Sequence, residues 1–224
     1  MSSFQLETTD GHVIHGLDWP TQTTPRAVVV IVHGMSEHAA RYGALASRLA
    51  AAGYQVYAHD HRGHGAHCPQ PGWFAAQDGW SRVVDDLREV VDYAAAQHPE
   101  LPLVLYGHSM GSFISRAFFL RYGHRLSGLV LSATGYRQRV MARVMRSVAR
   151  LAARLGGAAK PSRFMTRLVF GSFNLGFLPA RTPVDWLSRD AAQVDAYIND
   201  PLCGRLPTPQ LWIDLFGGVL EMEQ

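Results

Sequence analysis

All eleven histidines lie between His12 and His124, so the last one hundred residues, Arg125 to Gln224, contain none. Nor does any carboxylate fall between Glu100 and Asp185, a stretch that carries thirteen Arg or Lys residues. Cysteine is scarce. Cys68 and Cys203 are too few for a disulfide framework and fit a reducing, cytoplasmic setting. The start, Met1-Ser2-Ser3-Phe4-Gln5-Leu6-Glu7, lacks the basic-then-apolar form of a secretion signal, and Arg, His or Gly interrupts every long apolar run. Both facts argue against export and a membrane span. Disorder-type composition and internal repeats are also absent: 47% of the 224 residues are apolar, enough for a substantial core.

What is present is Leu103-Val104-Leu105-Tyr106-Gly107-His108-Ser109-Met110-Gly111-Ser112, an apolar strand running through G-x-S-x-G into a helix. This is the sequence form of a nucleophile elbow. A five-residue pattern also arises by chance, and the context separates the two. A leucine-rich strand precedes it, and Phe113, Ile114, Ala117, Phe118 and Leu120 follow at helical spacing up to Gly123 as a C-cap. Ser109 is the candidate nucleophile, at the head of a helix whose amide dipoles favour negative charge nearby. Gly107 and Gly111 leave room in a strained turn. Such a serine needs a histidine to take its proton, and with this motif the acid and then the histidine follow it in the chain. The histidine-free last one hundred residues break that order.

The rest of the chain alternates strands and helices. Phe4 to Thr8 and Val13 to Trp19 flank Asp10-Gly11 and predict an antiparallel hairpin. Ala27 to His33 is a Val/Ile run of the kind buried on both faces. A helix over Arg41 to Ala52 with Gly53 as its cap, a strand over Tyr54 to His59, a helix over Ser81 to Gln97 and a strand over Leu126 to Ser132 complete the pattern. Alternation predicts an α/β fold with a mostly parallel sheet and helices on both faces. After Thr134 no strand pattern remains. Residues 136–205 read as a helical cap inserted into a core that occupies 1–135, and 206–224, centred on Pro209 to Met222, reads as a helix returning to the sheet.

Within the acid-free stretch Arg139, Arg143, Arg146, Arg150 and Arg154 recur opposite Val140, Val144, Met145, Val148, Leu151 and Leu155, one amphipathic helix ended by Gly156-Gly157. A solvated face and peripheral contact with an anionic membrane are both open, and nucleic acid is the weaker partner. His59, Asp60, His61, His64 and His67 invite a zinc reading. Gly63 and Gly65 make that segment a tight turn, so the expectation is no metal and no cofactor, with Asp60 and Arg62 pinning the loop. Asp85, Asp86, Glu89 and Asp92 beside Arg82 and Arg88 read as a solvated helix face.

His33-Gly34-Met35-Ser36-Glu37-His38 with Arg41-Tyr42, then His59-Asp60-His61-Arg62-Gly63-His64-Gly65, then Gly107-His108-Ser109-Met110-Gly111 resemble the monoglyceride lipase and lysophospholipase branch of the α/β-hydrolase fold. Leu187-Ser188-Arg189-Asp190 and Asp200-Pro201-Leu202 extend the resemblance through the cap, so that it covers nearly the whole chain. Acyltransferases and proline-type aminopeptidases are the nearest rivals inside the fold. The resemblance implies an acyl-Ser109 intermediate on a lipid-like carboxylic ester, with the backbone amides of Met35 and Met110 as the oxyanion hole. It also implies an acid and a histidine beyond the return helix. Asp185, Asp190, Asp195 and Asp200 fall in the cap and Asp214 on the return helix, so none takes the acid's place. The expectation is therefore a sheet lacking its last two strands, open at the strand Leu126 to Ser132, and a chain nearly inactive for want of Asp and His. The alternative is a non-catalytic protein that keeps the pocket and binds an acyl lipid or a partner.

Overall fold

The computed structural model describes residues 1–136 and 139–223. Arg137, Gln138 and Gln224, which the expected cap and return segment include, lie outside the described residues. The Val/Ile run forms strand β3 (Ala27–Val32), every residue of it buried. It lies at the centre of a six-stranded sheet ordered β1-β2-β4-β3-β5-β6. β1 (Ser2–Glu7) and β2 (Val13–Trp19) form the expected antiparallel hairpin at one edge. β2 also runs antiparallel to β4 (Tyr54–His59), whereas β3, β4, β5 (Leu103–His108) and β6 (Gly128–Ser132) are mutually parallel.

Alternation along β3 divides the core into two layers. Val28, Val30 and Val32 join Leu105 and the helices α2 (Gly79–Gln97) and α3 (Met110–Tyr122) on one face. Val29 and Ile31 meet Trp19, Ala46 and Val56 on the other, under α1 (Gly43–Ala51). Each such fully buried branched side chain contributes roughly 1.5–3 kcal/mol. The register also sets up the site. Val32 of β3 lies opposite Gly107 of β5, so the loops leaving both strands emerge side by side.

Local details depart from the sequence reading. The helix expected over Arg41 to Ala52 is a 3-10 turn, Ala39–Tyr42, followed by α1. Gly123 caps α3 in a right-handed conformation (φ −59°), and the chain runs on through a 3-10 turn, Gly123–Arg125. Asp86 is not on a solvated face. It is 2% exposed and receives Arg62 Nε and Nη2 at 2.6 and 2.8 Å, while the same guanidinium holds Asp10. Helical periodicity could not show a partner 24 residues away on another segment.

Between β6 and the last helix the described residues hold no strand, only α4 (Arg139–Gly156), α5 (Arg163–Phe170), 3-10 turns at Phe173–Phe177 and Asp185–Leu187, and α6 (Ala191–Asn199). α7 (Pro209–Met222) follows; the Thr208 side chain caps it by accepting from the Leu211 amide, and Pro209 occupies a first-turn position that needs no amide donor. α4 packs on α7 through the narrow line Ala142, Met145 and Ala149. Its larger apolar residues Val140, Val144, Leu151 and Leu155 stay exposed, the last by 81%. Among the described residues β6 is an edge strand, and its Val130 is 48% exposed. No helix is long and apolar enough to cross a membrane among the described residues.

Candidate active site

β5 ends at His108 and α3 begins at Met110, which leaves Ser109 alone to reverse the chain. It does so at φ 51° and ψ −119°, a conformation that costs a non-glycine residue on the order of 1–3 kcal/mol. Hydrogen bonds hold it there. The Ser109 amide donates to the Ser132 carbonyl at 3.0 Å, and the Ser109 carbonyl accepts from the Ser112 amide at 2.9 Å and from Ser112 Oγ at 2.6 Å. The glycines are required by close approach: a Cβ on Gly111 would overlap the carbonyl oxygens of Val32 and His33, and one on Gly107 would collide with Ser115 Oγ and the Gly111 carbonyl. The elbow is thus locked against the end of β3.

The loop after β3 meets the elbow through Gly34, where an added Cβ would stand 3.3 Å from Ser109 Cβ. Glu37 shapes this loop. Its Oε1 accepts the Gly34 amide at 2.6 Å and the Tyr42 hydroxyl at 2.7 Å, and Arg41 Nε lies 3.4 Å from Oε2. Burial, reinforced by the Glu37 charge, raises the Tyr42 phenol well above its usual range, so it stays a donor. Met35 sits half-buried inside this clamp, and Met110 is the first residue of α3, where helical amides have no intrahelical acceptor. Glu37 carried no role in the sequence reading. Its signal was present as an acid three residues after Gly34, the spacing at which a side chain returns to a backbone amide.

The buried histidines of the two loops beside the elbow bind backbone or one another. His33 is fully buried; Nε2 accepts the His61 amide at 3.1 Å, which leaves Nδ1–H to donate to the Gly34 carbonyl at 2.7 Å. Both ring nitrogens are therefore occupied. His61 Nε2 lies 3.1 Å from the His33 carbonyl and His64 Nδ1 lies 3.0 Å from the Arg62 carbonyl, while neither nitrogen of His59 makes a hydrogen bond. Burial, with a smaller contribution from neighbouring imidazoles, lowers His59 and His64 to about 3. The His33 and His61 rings meet at a tilt of 41° with centroids 4.1 Å apart, and the His15 and His67 rings stack at 4.1 Å. Asp60 pins the loop as expected, accepting the Ala39 amide at 2.8 Å. His108, next to Ser109 in sequence, pairs instead with Ser132 Oγ at 3.1 Å. His124, the one histidine beyond Ser109, sits in the 3-10 turn at the opposite end of α3, about 20 Å away at 1.5 Å per residue.

The aspartates that follow Ser109, none of them expected to take the acid's place, are engaged elsewhere. Asp185 binds Thr182, Asp190 caps α6, Asp195 pairs with Arg181, and Asp200 pairs with His38. Asp214, on α7, is held by Gln210, and burial raises its carboxyl to about 6. A large open apolar cavity of about 1070 Å³ lies among α3, α4, α5 and α7, lined by Met141, Met145, Leu168, Val169 and Phe216, with Arg116 and Arg139 contributing charge. Neither Ser109 nor Met35 lines it.

The family model for serine aminopeptidase S33 hydrolases matches residues 23–224. A monoacylglycerol lipase of Mycolicibacterium smegmatis is 37% identical over 84% of this chain and 61% of its own length. The mouse (Mus musculus) monoglyceride lipase is 31% identical over 89% and 60%. The chain thus spans about three fifths of the length of these curated relatives. Among solved structures, a thermostable carboxyl esterase from Bacillus coagulans, in complex with glycerol, superposes with a TM-score of 0.83 at 25% identity, over 98% of this chain and 72% of that one. With the elbow, the parallel sheet and the family match in agreement, the chain belongs to the serine aminopeptidase S33 family of α/β-hydrolases, the family of the monoglyceride lipases.

Proposed function

We propose that this chain is the nucleophile-bearing part of a serine ester hydrolase that acts on lipid-like esters of the monoacylglycerol or lysophospholipid class through an acyl-Ser109 intermediate. The observation that carries the reading is the Ser109 elbow, strained, locked by two glycines and packed against Gly34. Ser109 Oγ attacks the ester carbonyl, and the amides of Met35 and Met110 receive the developing oxyanion, worth about 3–4 kcal/mol per donor in comparable sites. Segment 136–205 serves as the cap. The core cannot complete the reaction alone, because no histidine ring described above reaches Ser109 as a base.

Joining the C-terminal two fifths of the Mycolicibacterium smegmatis relative to Gln224 supplies a test. The chimera is expected to form a fluorophosphonate adduct that mass spectrometry maps to Ser109, and Ser109→Ala is expected to abolish it. An adduct on another residue overturns the assignment.

Contact with an anionic membrane surface follows from α4. Its exposed Val140, Val144, Leu151 and Leu155 run beside Arg139, Arg143, Arg150 and Arg154, and Phe164 and Leu168 of α5 are exposed as well. An apolar stripe edged by arginines suits an acyl and headgroup boundary. Co-sedimentation is expected to be stronger on phosphatidylserine vesicles than on phosphatidylcholine vesicles and to weaken as salt rises, because exposed charges are screened over about 8 Å at physiological ionic strength. Equal binding to both lipids with no salt response would leave a solvated helix face. The alternative of a non-catalytic acyl-lipid binder draws on the same surface but gives no account of a strained, locked serine.

A further inference from the structure

One cluster is used by none of the chemistry above. His38, Asp200 and Cys203 place one ligating atom each within 4.8 Å of one another, the one such grouping of His, Cys and carboxylate side chains among the described residues. We propose that His38 Nε2, the Asp200 carboxylate and Cys203 Sγ form a binding site for a transition-metal dication of the zinc class.

Local backbone geometry builds the site. Asp200-Pro201-Leu202-Cys203 is a turn closed by the Cys203 amide on the Asp200 carbonyl at 3.0 Å, and Asp200 Oδ1 accepts the Leu202 amide at 2.9 Å. The turn folds Cys203 back over the carboxylate. His38 approaches from the loop after β3, with Nε2 2.7 Å from Asp200 Oδ2, and is 8% exposed. The two segments are bolted together independently of these side chains. Ser36 Oγ donates to the Arg205 carbonyl at 2.8 Å, and the Ser36 carbonyl accepts the Gly204 amide at 2.9 Å and the Tyr197 hydroxyl at 3.0 Å. The donors are therefore held on fixed backbones before any cation arrives, which is the condition for tight binding.

The donor set selects the cation. Imidazole, thiolate and carboxylate together suit Zn²⁺ or Co²⁺ and are poor for Mg²⁺ or Ca²⁺, which prefer oxygen alone. Tetrahedral bonds of about 2.0–2.3 Å put ligand atoms about 3.3–3.7 Å apart, so the His38–Asp200 pair, at 2.7 Å, must open by about 0.6 Å and Cys203, within 4.8 Å of both, must close by at most about 1.3 Å. Three protein donors leave a fourth position for water. On binding, the Cys203 thiol proton is released to solvent, and His38 moves its proton from Nε2 to Nδ1 so that Nε2 can ligate. Without a cation, burial is the largest influence on Cys203; Arg41 opposes it and the Asp200 charge adds to it, and the thiol is pushed up to about 12. A dication at this point reverses that balance, because a coordinated thiol loses its proton outright. Occupancy would tie the loop that carries Met35 to the turn after α6.

Titration of the purified chain with CoCl₂ tests the site without any reading of ester turnover, so its failure and the failure of the Ser109 assignment remain separate. One equivalent is expected to produce a thiolate-to-cobalt charge-transfer band and the intense ligand-field absorption of tetrahedral Co²⁺, both erased by an equivalent of ZnCl₂. Cys203→Ser, a one-atom change that leaves the fold measurable by circular dichroism, is expected to lose the charge-transfer band and to bind at least tenfold more weakly. His38→Gln is expected to weaken binding to a similar degree, and Cys68→Ser to leave it unchanged. No band at one equivalent, or a band that survives Cys203→Ser, overturns the proposal.

Discussion

Ester turnover by the 224-residue chain is expected to be indistinguishable from that of its Ser109→Ala variant. A serine hydroxyl is a poor nucleophile until a base takes its proton, and loss of the histidine alone lowers kcat by on the order of a millionfold in a serine protease. In this chain the histidines nearest the elbow are committed elsewhere. His33 has both nitrogens occupied, His61 pairs with the His33 carbonyl, and His108 pairs with Ser132 Oγ. His124 is at the far end of α3. Residual hydrolysis should come from the oxyanion donors and binding alone. The assay is hydrolysis of a p-nitrophenyl ester and of a monoacylglycerol by the chain and by Ser109→Ala, side by side. A loss of more than tenfold on removing Ser109 would show a base acting inside the chain, and His108→Gln would then be the variant to identify it.

Order and chemistry were legible at different depths in this sequence. β2, β4 and α7 fall where alternation and capping residues placed them, because Val13 to Trp19, Tyr54 to His59 and Pro209 to Met222 carry local signals: period-two burial, a glycine at φ 89° before β4, and a Thr-Pro helix start. The elbow was legible for the same reason, since Gly107 and Gly111 answer a steric demand within a few residues. Features set by distant segments were not. By sequence Asp86 is one of four acids on a helix face, and only the approach of Arg62 from another segment makes it a buried acceptor. The apolar residues of α4 describe a wide face, but only the line through Ala142, Met145 and Ala149 is buried, a width that no helical wheel of α4 alone could give. Cys203 had no motif around it, and its neighbours His38 and Asp200 are joined to each other across 162 residues of chain.

Acid is expected to destabilise this protein from near-neutral pH downward through its buried histidines. His59 is 0% exposed and His64 6%, and burial keeps both neutral to about pH 3, whereas in the unfolded chain each takes up a proton near its ordinary value of 6.5. Between those limits the unfolded state binds more protons, so stability is fully present above pH 6.5 and falls as pH drops toward 3. Each histidine removes about 1.4 kcal/mol per pH unit in that window, and the pair should remove about 4 kcal/mol between pH 7.5 and pH 5. That is a large share of the roughly 5–15 kcal/mol that holds a domain together. His12, lowered to about 4 by its burial and by Arg62, adds to the slope in the same direction. Asp10 acts in a different window: held below the usual carboxylate range chiefly by its hydrogen bonds with Arg62, it contributes stability that is lost only below about pH 4. Urea unfolding followed by circular dichroism at steps from pH 7.5 to pH 5 measures the slope directly. His59→Phe should remove about half of the share assigned to His59 and His64, since that ring makes no hydrogen bond through either nitrogen and meets the His61 ring edge to face. Asp86 and Asp214, both raised to about 6 by burial, take up protons while folded and oppose this slope, so the histidine share is read as the difference between the chain and His59→Phe; an unchanged slope in that variant would mean that the His59 ring takes up its proton while folded.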